Sequence, residues 1–130
     1  MDNYSVELVN VAKLKHIEGF SKKRVDWLYN KILDEEIWKV PIRLDSNFLV
    51  LDGQHRMEVA KRMNLRVVPA ILYNYQDVKV WSLRPKTQEV TAELVIKRAL
   101  KGDIYPYKTA KHSFPEIGKI ECCFKLSELR

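Results

Sequence analysis

The sequence predicts a single domain of the α+β class, in which helices pack on a mixed sheet. Its 130 residues leave room for one hydrophobic core. Hydrophobic residues make up 46% and charged residues 31%, which is the balance of an ordinary globular protein. Short apolar runs alternate with amphipathic segments in the order β, α, ββ, α, ββ, α, β. This order indicates strands and helices packed around one sheet.

The chain begins with a predicted strand and helix. Residues 4–9 alternate enough to form the strand, and an irregular stretch follows. Ser21 is a good N-cap for a helix that extends to about Glu36. The apolar residues of this helix recur on one face at 3.6-residue spacing: Val25, Leu28, Tyr29, Ile32 and Leu33.

The rest of the chain predicts a hairpin, two helices and three further strands. The apolar runs 41–44 and 48–51 form the hairpin, because Asp, Ser and Asn at 45–47 favour a turn. Asn64 and Gly102 are suitable left-handed residues just beyond two helices. The remaining predicted elements are a helix at 54–63, strands at 66–73 and 78–83, a last helix at 91–100 and a strand at 117–126 that closes the sheet.

Charge and composition restrict the class of partner. The net charge of +6 and the pI near 9.3 favour an anionic partner, either a nucleic acid or a nucleotide. The cations are scattered along the chain and do not form one arm. No apolar stretch approaches the roughly 20 residues of a membrane span, so we expect a cytoplasmic protein with no membrane partner. Adjacent Cys122 and Cys123 suit neither a disulfide nor a zinc site.

The most informative segment is the junction between the second hairpin strand and the following helix. Gly53 lets the backbone turn sharply, and the helix then presents free N–H groups and the positive end of its dipole. His55 and Arg56 in the first turn add donors suited to phosphate oxygens. The alternative is that Asp52 caps the helix while His55 and Arg56 only solvate it.

This junction resembles a known signature. Residues 52–56, Asp-Gly-Gln-His-Arg, are similar to the Asp-Gly-His-His-Arg motif of the ParB/sulfiredoxin-like superfamily, with Gln54 in place of the first His. The resemblance implies a single ParB/sulfiredoxin-like nucleotide-binding domain over residues 1–130. It also implies that Gly53, Gln54, His55 and Arg56 hold the phosphates of ATP or ADP. The turn lacks the catalytic Cys of sulfiredoxins, which disfavours sulfinic-acid reduction.

Two further segments resemble free serine kinases of this superfamily. His16-Ile17-Glu18-Gly19 is similar to the loop whose glutamate serves as the base for the substrate hydroxyl, which makes Glu18 the candidate base. The segment 105–115, a predicted loop after the last helix, resembles the stretch that holds the amino acid. This resemblance implies that Lys108, Thr109 and His112 bind the substrate. The segment 81–85 is also similar to these kinases, which implies that Trp81 walls the serine pocket, with a core Trp on a strand as the alternative.

Together these resemblances imply a free L-serine kinase that forms O-phospho-L-serine. Its catalytic residues would be Glu18, Asp52, His55 and Arg56, with Mg²⁺ accompanying the nucleotide. Asp52 would orient the metal's waters or cap the helix. The implied partners are L-serine and a nucleotide, and a homodimer stays open. Sequence-specific nucleic-acid binding is not expected.

Two other functions remain open on the sequence. A ParB-like regulatory module that binds nucleotide or DNA would explain the positive charge, although it leaves residues 108–112 without a task and the chain has no helix-turn-helix segment after the predicted fold. A nuclease-like protein or a phosphotransferase acting on another hydroxylated small molecule is the second alternative.

Overall fold

The computed structural model describes residues 4–116 and 119–130. Within these ranges, no helix is both long and apolar enough to span a bilayer. The helices and strands are β1 (Glu7–Asn10), α1 (Lys22–Glu35), β2 (Ile37–Trp38), β3 (Ile42–Leu44), β4 (Val50–Asp52), α2 (Gln54–Arg62), β5 (Val67–Leu72), β6 (Lys79–Ser82), α3 (Ala92–Lys101), β7 (Ala110–Ser113), β8 (Phe124–Lys125) and α4 (Leu126–Leu129).

The main sheet has four strands in the order β1-β5-β3-β4. Strand β3 pairs parallel with β5, whereas the β1·β5 and β3·β4 pairs are antiparallel. Two smaller antiparallel sheets are formed by β2 with β8 and by β6 with β7. The predicted α+β class with a mixed sheet and packed helices is therefore confirmed.

Hydrophobic clusters lie on both sides of the main sheet. Residues of α1, α2 and α4 contribute to one cluster, and residues of α3 contribute to the other. Fully buried aliphatic side chains such as Val25 and Ile71 each stabilise the fold by about 1.5 to 3 kcal/mol. The helices thus follow from amphipathic patterns that become stable only by packing against the sheet.

Helix ends follow local chemistry, as predicted. The Ser21 hydroxyl accepts a hydrogen bond from the Arg24 N–H at 3.2 Å, and that of Thr91 accepts one from Leu94 at 3.1 Å. Gly102 has a φ of 79° at the end of α3. Asn64, just beyond α2, has a φ of 54°. The predicted cap at Ser21 and the stops at Asn64 and Gly102 are confirmed.

Three predictions about the C-terminal part are wrong. Residues 110–113 lie within a predicted loop but form β7, because their backbone pairs with β6. The predicted strand at 117–126 includes 117 and 118, outside the described residues. Its described part forms only the short β8, which pairs with β2 and does not close the main sheet. The helix at 91–100 is also not the last one, because burial of Leu126 and Leu129 supports α4.

Gly53 sets the geometry of the β4–α2 junction. Its φ is 115°, a conformation that side chains with a Cβ rarely adopt, and it begins α2 without any side-chain cap. A Cβ at this position would lie 3.1 Å from Cγ1 of Ile42 on the neighbouring strand. The Asp52 carboxylate accepts a hydrogen bond from Arg43 and none from an N–H group of α2, so the alternative in which its side chain caps α2 is wrong.

We predict that Gly53→Ala lowers the free energy of unfolding by about 1 to 3 kcal/mol, because it combines backbone strain with a tight contact. Gly102→Ala is the matched control. It shares a positive φ but meets no atom within 4 Å, so it should cost less. Urea denaturation of the two variants measures the difference, and equal losses would contradict the contact with Ile42.

Candidate active site

A cavity of about 340 Å³ opens beside the carboxyl end of β4. It brings together the loop before α1, the β4–α2 turn, β3 and the segment around β7. Its lining includes Glu18, Gly19, Arg24, Arg43, Asp52, Gly53, Gln54, His55, Tyr107, Lys108, Lys111, His112 and Phe114. Seven of the residues predicted for the site therefore line one space, although they come from three separate parts of the sequence: Glu18, Asp52, Gly53, Gln54, His55, Lys108 and His112.

Glu18 is held in place by backbone pairing between two distant segments. The Gly19 N–H donates to the Tyr105 carbonyl at 2.8 Å, and the Tyr105 N–H donates to the Ile17 carbonyl at 2.9 Å. The Thr109 N–H then donates to Oε2 of Glu18 at 3.1 Å. Glu18 is only 8% exposed and still lines the cavity.

Burial raises the pKa of Glu18 above its usual range, and nearby backbone N–H groups, led by that of Thr109, oppose this rise. A raised pKa makes the ionised carboxylate a better proton acceptor than an exposed glutamate. The site thus contains one buried carboxylate with the electrostatics of a general base.

The first turn of α2 presents His55 to the same cavity. Its Nε2 accepts a hydrogen bond from the Ser21 N–H at 3.1 Å, so the neutral ring carries its proton on Nδ1. Burial lowers the pKa of His55, and the charges of Arg24, Arg56 and His16 lower it further. His55 is therefore a neutral donor at neutral pH, next to the free backbone N–H groups of the helix.

The Gln54 side chain serves the fold. Its Nε2 donates to the Val50 carbonyl, and its Oε1 lies 2.5 Å from Nδ1 of His16. The other ring nitrogen of His16 lies 2.7 Å from the carboxylate of Glu58. Because these contacts occupy the Gln54 amide, only the backbone N–H of this residue is left for the predicted binding of phosphate.

Residues 52–56 form the turn that is predicted to bind phosphate, the phosphate turn, and Arg56 lies on the side of this turn away from the first cavity. It lines a second cavity of about 310 Å³, which shares Asp52, Gly53 and His55 with the first one. Burial lowers the pKa of the Arg56 guanidinium, and the nearby Asp52 carboxylate opposes this effect. The turn therefore presents His55 to both cavities and Arg56 to the second one.

His112 contributes an unused polar atom. The side chain is 9% exposed and lies on β7, where Nε2 is 2.6 Å from the hydroxyl of Tyr75. Its Nδ1 is buried without a hydrogen-bond partner among the described residues. Buried polar atoms are rarely left unpaired, so this atom is available to a water molecule or a ligand in the cavity. Burial lowers the pKa of His112 to about 4, with a smaller contribution from Lys111.

The other predicted substrate residues occupy different positions. Lys108 lines the cavity. The Thr109 side chain is completely buried, and its hydroxyl donates to the Pro106 carbonyl at 2.7 Å. Trp81 is 44% exposed, pairs with Lys111 across β6 and β7, and does not line the cavity.

Arg43 is a site residue that the sequence did not reveal. It lies opposite Asp52 across β3 and β4, and Nη1 donates to Oδ2 of Asp52 at 3.3 Å. Its Nη2 lies 2.8 Å from Oε1 of Glu116, and its Nε donates to the Tyr73 hydroxyl at 3.2 Å. A cation inside the apolar run 41–44 was the one available signal in the sequence.

Comparisons with known proteins agree with the resemblance to free serine kinases that the sequence motifs indicate. No protein-family model matches the sequence. An ATP-dependent L-serine kinase of Staphylothermus marinus is 28% identical over an alignment covering 92% of this chain and 54% of the relative. One of Desulfurococcus mucosus is 32% identical over 60% of this chain and 33% of the relative. The chain thus spans about half the length of the first relative and a third of the second.

Solved structures decide the fold. A free serine kinase in complex with AMP superposes with a TM-score of 0.83 at 14% identity, covering 98% of this chain and 93% of that chain. The chain has the fold of the free serine kinases. SbnI from Staphylococcus aureus, with a C-terminal truncation, matches with a TM-score of 0.77 at 11% identity over 88% of this chain and 85% of that chain. The predicted resemblance to free serine kinases is confirmed.

We predict that NMR titration of the His112 ring gives a pKa of about 4. Because the ring binds protons more weakly in the folded than in the unfolded protein, it adds no penalty above pH 6.5 and a growing one as the pH falls to about 4. His112→Gln should remove this part of the acid-induced loss of stability, measured by urea unfolding at several pH values. A His112 pKa near 6.5 would contradict the environment described for this ring.

Proposed function

We propose that the chain acts as a free L-serine kinase, transferring a phosphoryl group from ATP or ADP to the serine hydroxyl to give O-phospho-L-serine. One observation carries the proposal: the buried carboxylate of Glu18 and the anion-binding turn at Gly53 line the same cavity. The names of the curated relatives, ATP-dependent L-serine kinases, support it. Under this proposal residues 1–130 form a single nucleotide-binding domain.

The phosphates of the nucleotide lie over the first turn of α2. Backbone N–H groups of residues 53–56 and the helix dipole attract the anion, and Gly53 permits its close approach. His55 donates from Nδ1 to a phosphate oxygen. Arg56 neutralises charge from the second cavity, where its guanidinium offers a fork suited to phosphate.

Magnesium fits the site as a companion of the nucleotide. The described residues contain no group of three or more His, Cys, Asp or Glu side chains that could hold a metal ion alone. Asp52 offers a half-exposed carboxylate at the cavity, and Mg²⁺ usually binds through one or two carboxylates, waters and substrate phosphates. Bound there, Mg²⁺ would neutralise charge on the phosphate oxygens, with Asp52 holding its waters. Arg43 orients the Asp52 carboxylate for this task.

Serine occupies the part of the cavity between Glu18 and β7. Glu18 accepts the hydrogen bond of the serine hydroxyl, aims its oxygen at the terminal phosphorus and takes its proton as the phosphoryl group moves. His112 Nδ1 and Lys108 hold the amino acid. Thr109 acts through its N–H, which fixes the Glu18 carboxylate. Trp81 stays a candidate for the outer wall of the pocket.

Charge supports the same arrangement. Arg24, Arg43, Lys108 and Lys111 surround the cavity, whereas Glu18 and Asp52 are the two carboxylates of its lining. An excess of fixed positive charge stabilises the phosphoryl group in flight, and this electrostatic contribution is usually the largest in phosphoryl transfer.

We predict that Glu18→Gln lowers turnover by roughly 10² to 10⁴, because glutamine keeps the size of the side chain but loses the basic oxygen. Phosphoserine formed from L-serine with Mg²⁺ and either ATP or ADP is measured by mass spectrometry. Glu7→Gln, on the exposed face of β1, is the matched control and should retain full activity.

Phosphoserine formation by Glu18→Gln at a near-normal rate would overturn the assignment of Glu18 as the general base. The kinase proposal itself would fall if the unmodified protein bound nucleotide but made no phosphoserine with either donor. That second outcome favours the ParB-like regulatory module.

We also predict that Arg56→Ala weakens nucleotide binding by about 1.5 to 3 kcal/mol, the range for a hydrogen bond to a charged group. Calorimetry with ADP measures the change. Arg66→Ala removes an exposed arginine beyond the opposite end of α2 and should leave affinity unaltered. Equal affinities for Arg56→Ala and the unmodified protein would remove Arg56 from the phosphate site.

A further inference from the structure

A stripe of side chains on α1 borders the phosphate turn. Arg24, Trp27 and Lys31 are three and four residues apart, so they lie on one face of the helix. Trp27 is 60% exposed, an unusual environment for an indole. A single exposed apolar residue is common on protein surfaces, so the surroundings of Trp27 decide whether this side chain binds a ligand.

The stripe lines the second cavity together with the phosphate turn. Arg24, Trp27 and Lys31 face this space along with Arg56 and residues 52, 53 and 55. Three cations thus meet at a cavity in which Asp52 is the only carboxylate of the lining. An anionic ligand that lies over Gly53 and His55 can therefore extend from the first cavity into the second.

Trp27 also borders open space on its N-terminal side. A hollow of about 420 Å³ is lined by Trp27, Arg24 and Tyr107, together with Ser21 and Lys23. The Lys31 ammonium lies 5.3 Å from the centroid of the Trp27 ring, so a cation accompanies the indole without covering it fully. The indole therefore combines accessible ring surface, room for a planar group and nearby positive charge.

We propose that Trp27 is the stacking platform for the nucleobase. Arg24, Lys31 and Arg56 then bind the phosphates nearest the ribose, while the terminal phosphate reaches past His55 toward Glu18. This assignment rests on the proposed function for the identity of the ligand and adds the direction in which the nucleotide lies. Stacking uses the π-face that every base has, so the platform contributes affinity with little selection among purines.

The test compares ligands with and without a base. Calorimetry measures the Kd of ADP and of inorganic tripolyphosphate for the unmodified protein, Trp27→Ala, Trp27→Phe and Leu33→Ala. Leu33 is an exposed apolar residue of α1 that lines neither cavity, which makes it the matched control. Trp27→Ala should raise the Kd of ADP about 5- to 150-fold, the effect of losing one base–aromatic stack. Trp27→Phe should retain most of the affinity, and tripolyphosphate should bind all four proteins alike.

Each other outcome overturns the platform. If Trp27→Ala binds ADP as the unmodified protein does, the base lies elsewhere, and the kinase proposal is unaffected. If Trp27→Ala loses affinity for ADP and tripolyphosphate equally, Trp27 supports the phosphate turn and does not stack on a base. If the unmodified protein binds neither ADP nor ATP, both the platform and the proposed function fall.

Discussion

The hydrogen bond from the Thr109 N–H to Glu18 is the contact on which the candidate site depends. It joins segments that are 91 residues apart in sequence, and the backbone pairing of Gly19 with Tyr105 holds both segments in register. An unpaired buried carboxylate would cost several kcal/mol, so the peptide N–H makes the burial of Glu18 possible. The same contact fixes where the carboxylate points, since it leaves Glu18 at the wall of the cavity.

Two other features of the candidate site lower the stability of the fold: a strained backbone conformation and an unpaired buried polar atom. Gly53 holds a conformation in which any other residue would be strained, and α2 begins there without a side-chain cap. The Nδ1 atom of His112 is buried without a partner among the described residues. Such groups are expected where a ligand supplies the missing contact. The fold tolerates them because hydrophobic clusters on both sides of the sheet supply most of its stability.

The sequence predicted those features that short-range chemistry decides. The caps at Ser21 and Gly102 and the β3–β4 hairpin follow from the residues at those positions. Strand β7 could not be predicted in the same way, because its polar residues become a strand only through pairing with β6. The pairing of β2 with β8 and the packing of α4 are likewise long-range contacts.

The same distinction applies to the site. Glu18, His55 and His112 were found from motifs, and the structure places all three at one cavity. Arg43 and Arg24 were missed because tertiary packing brings a strand and a helix residue to that cavity. The motif also could not show which part of Thr109 contacts Glu18. The hydroxyl donates to the Pro106 carbonyl, whereas the N–H donates to Glu18.

A crystal structure of the protein with ADP, Mg²⁺ and L-serine tests the central claim most directly, because it locates the serine hydroxyl relative to Glu18. We expect the hydroxyl oxygen within about 3 Å of a Glu18 carboxylate oxygen, the reach of a general base. The terminal phosphate should lie over the first turn of α2. A serine whose hydroxyl points away from Glu18, or a nucleotide bound away from Gly53 and His55, would contradict the account.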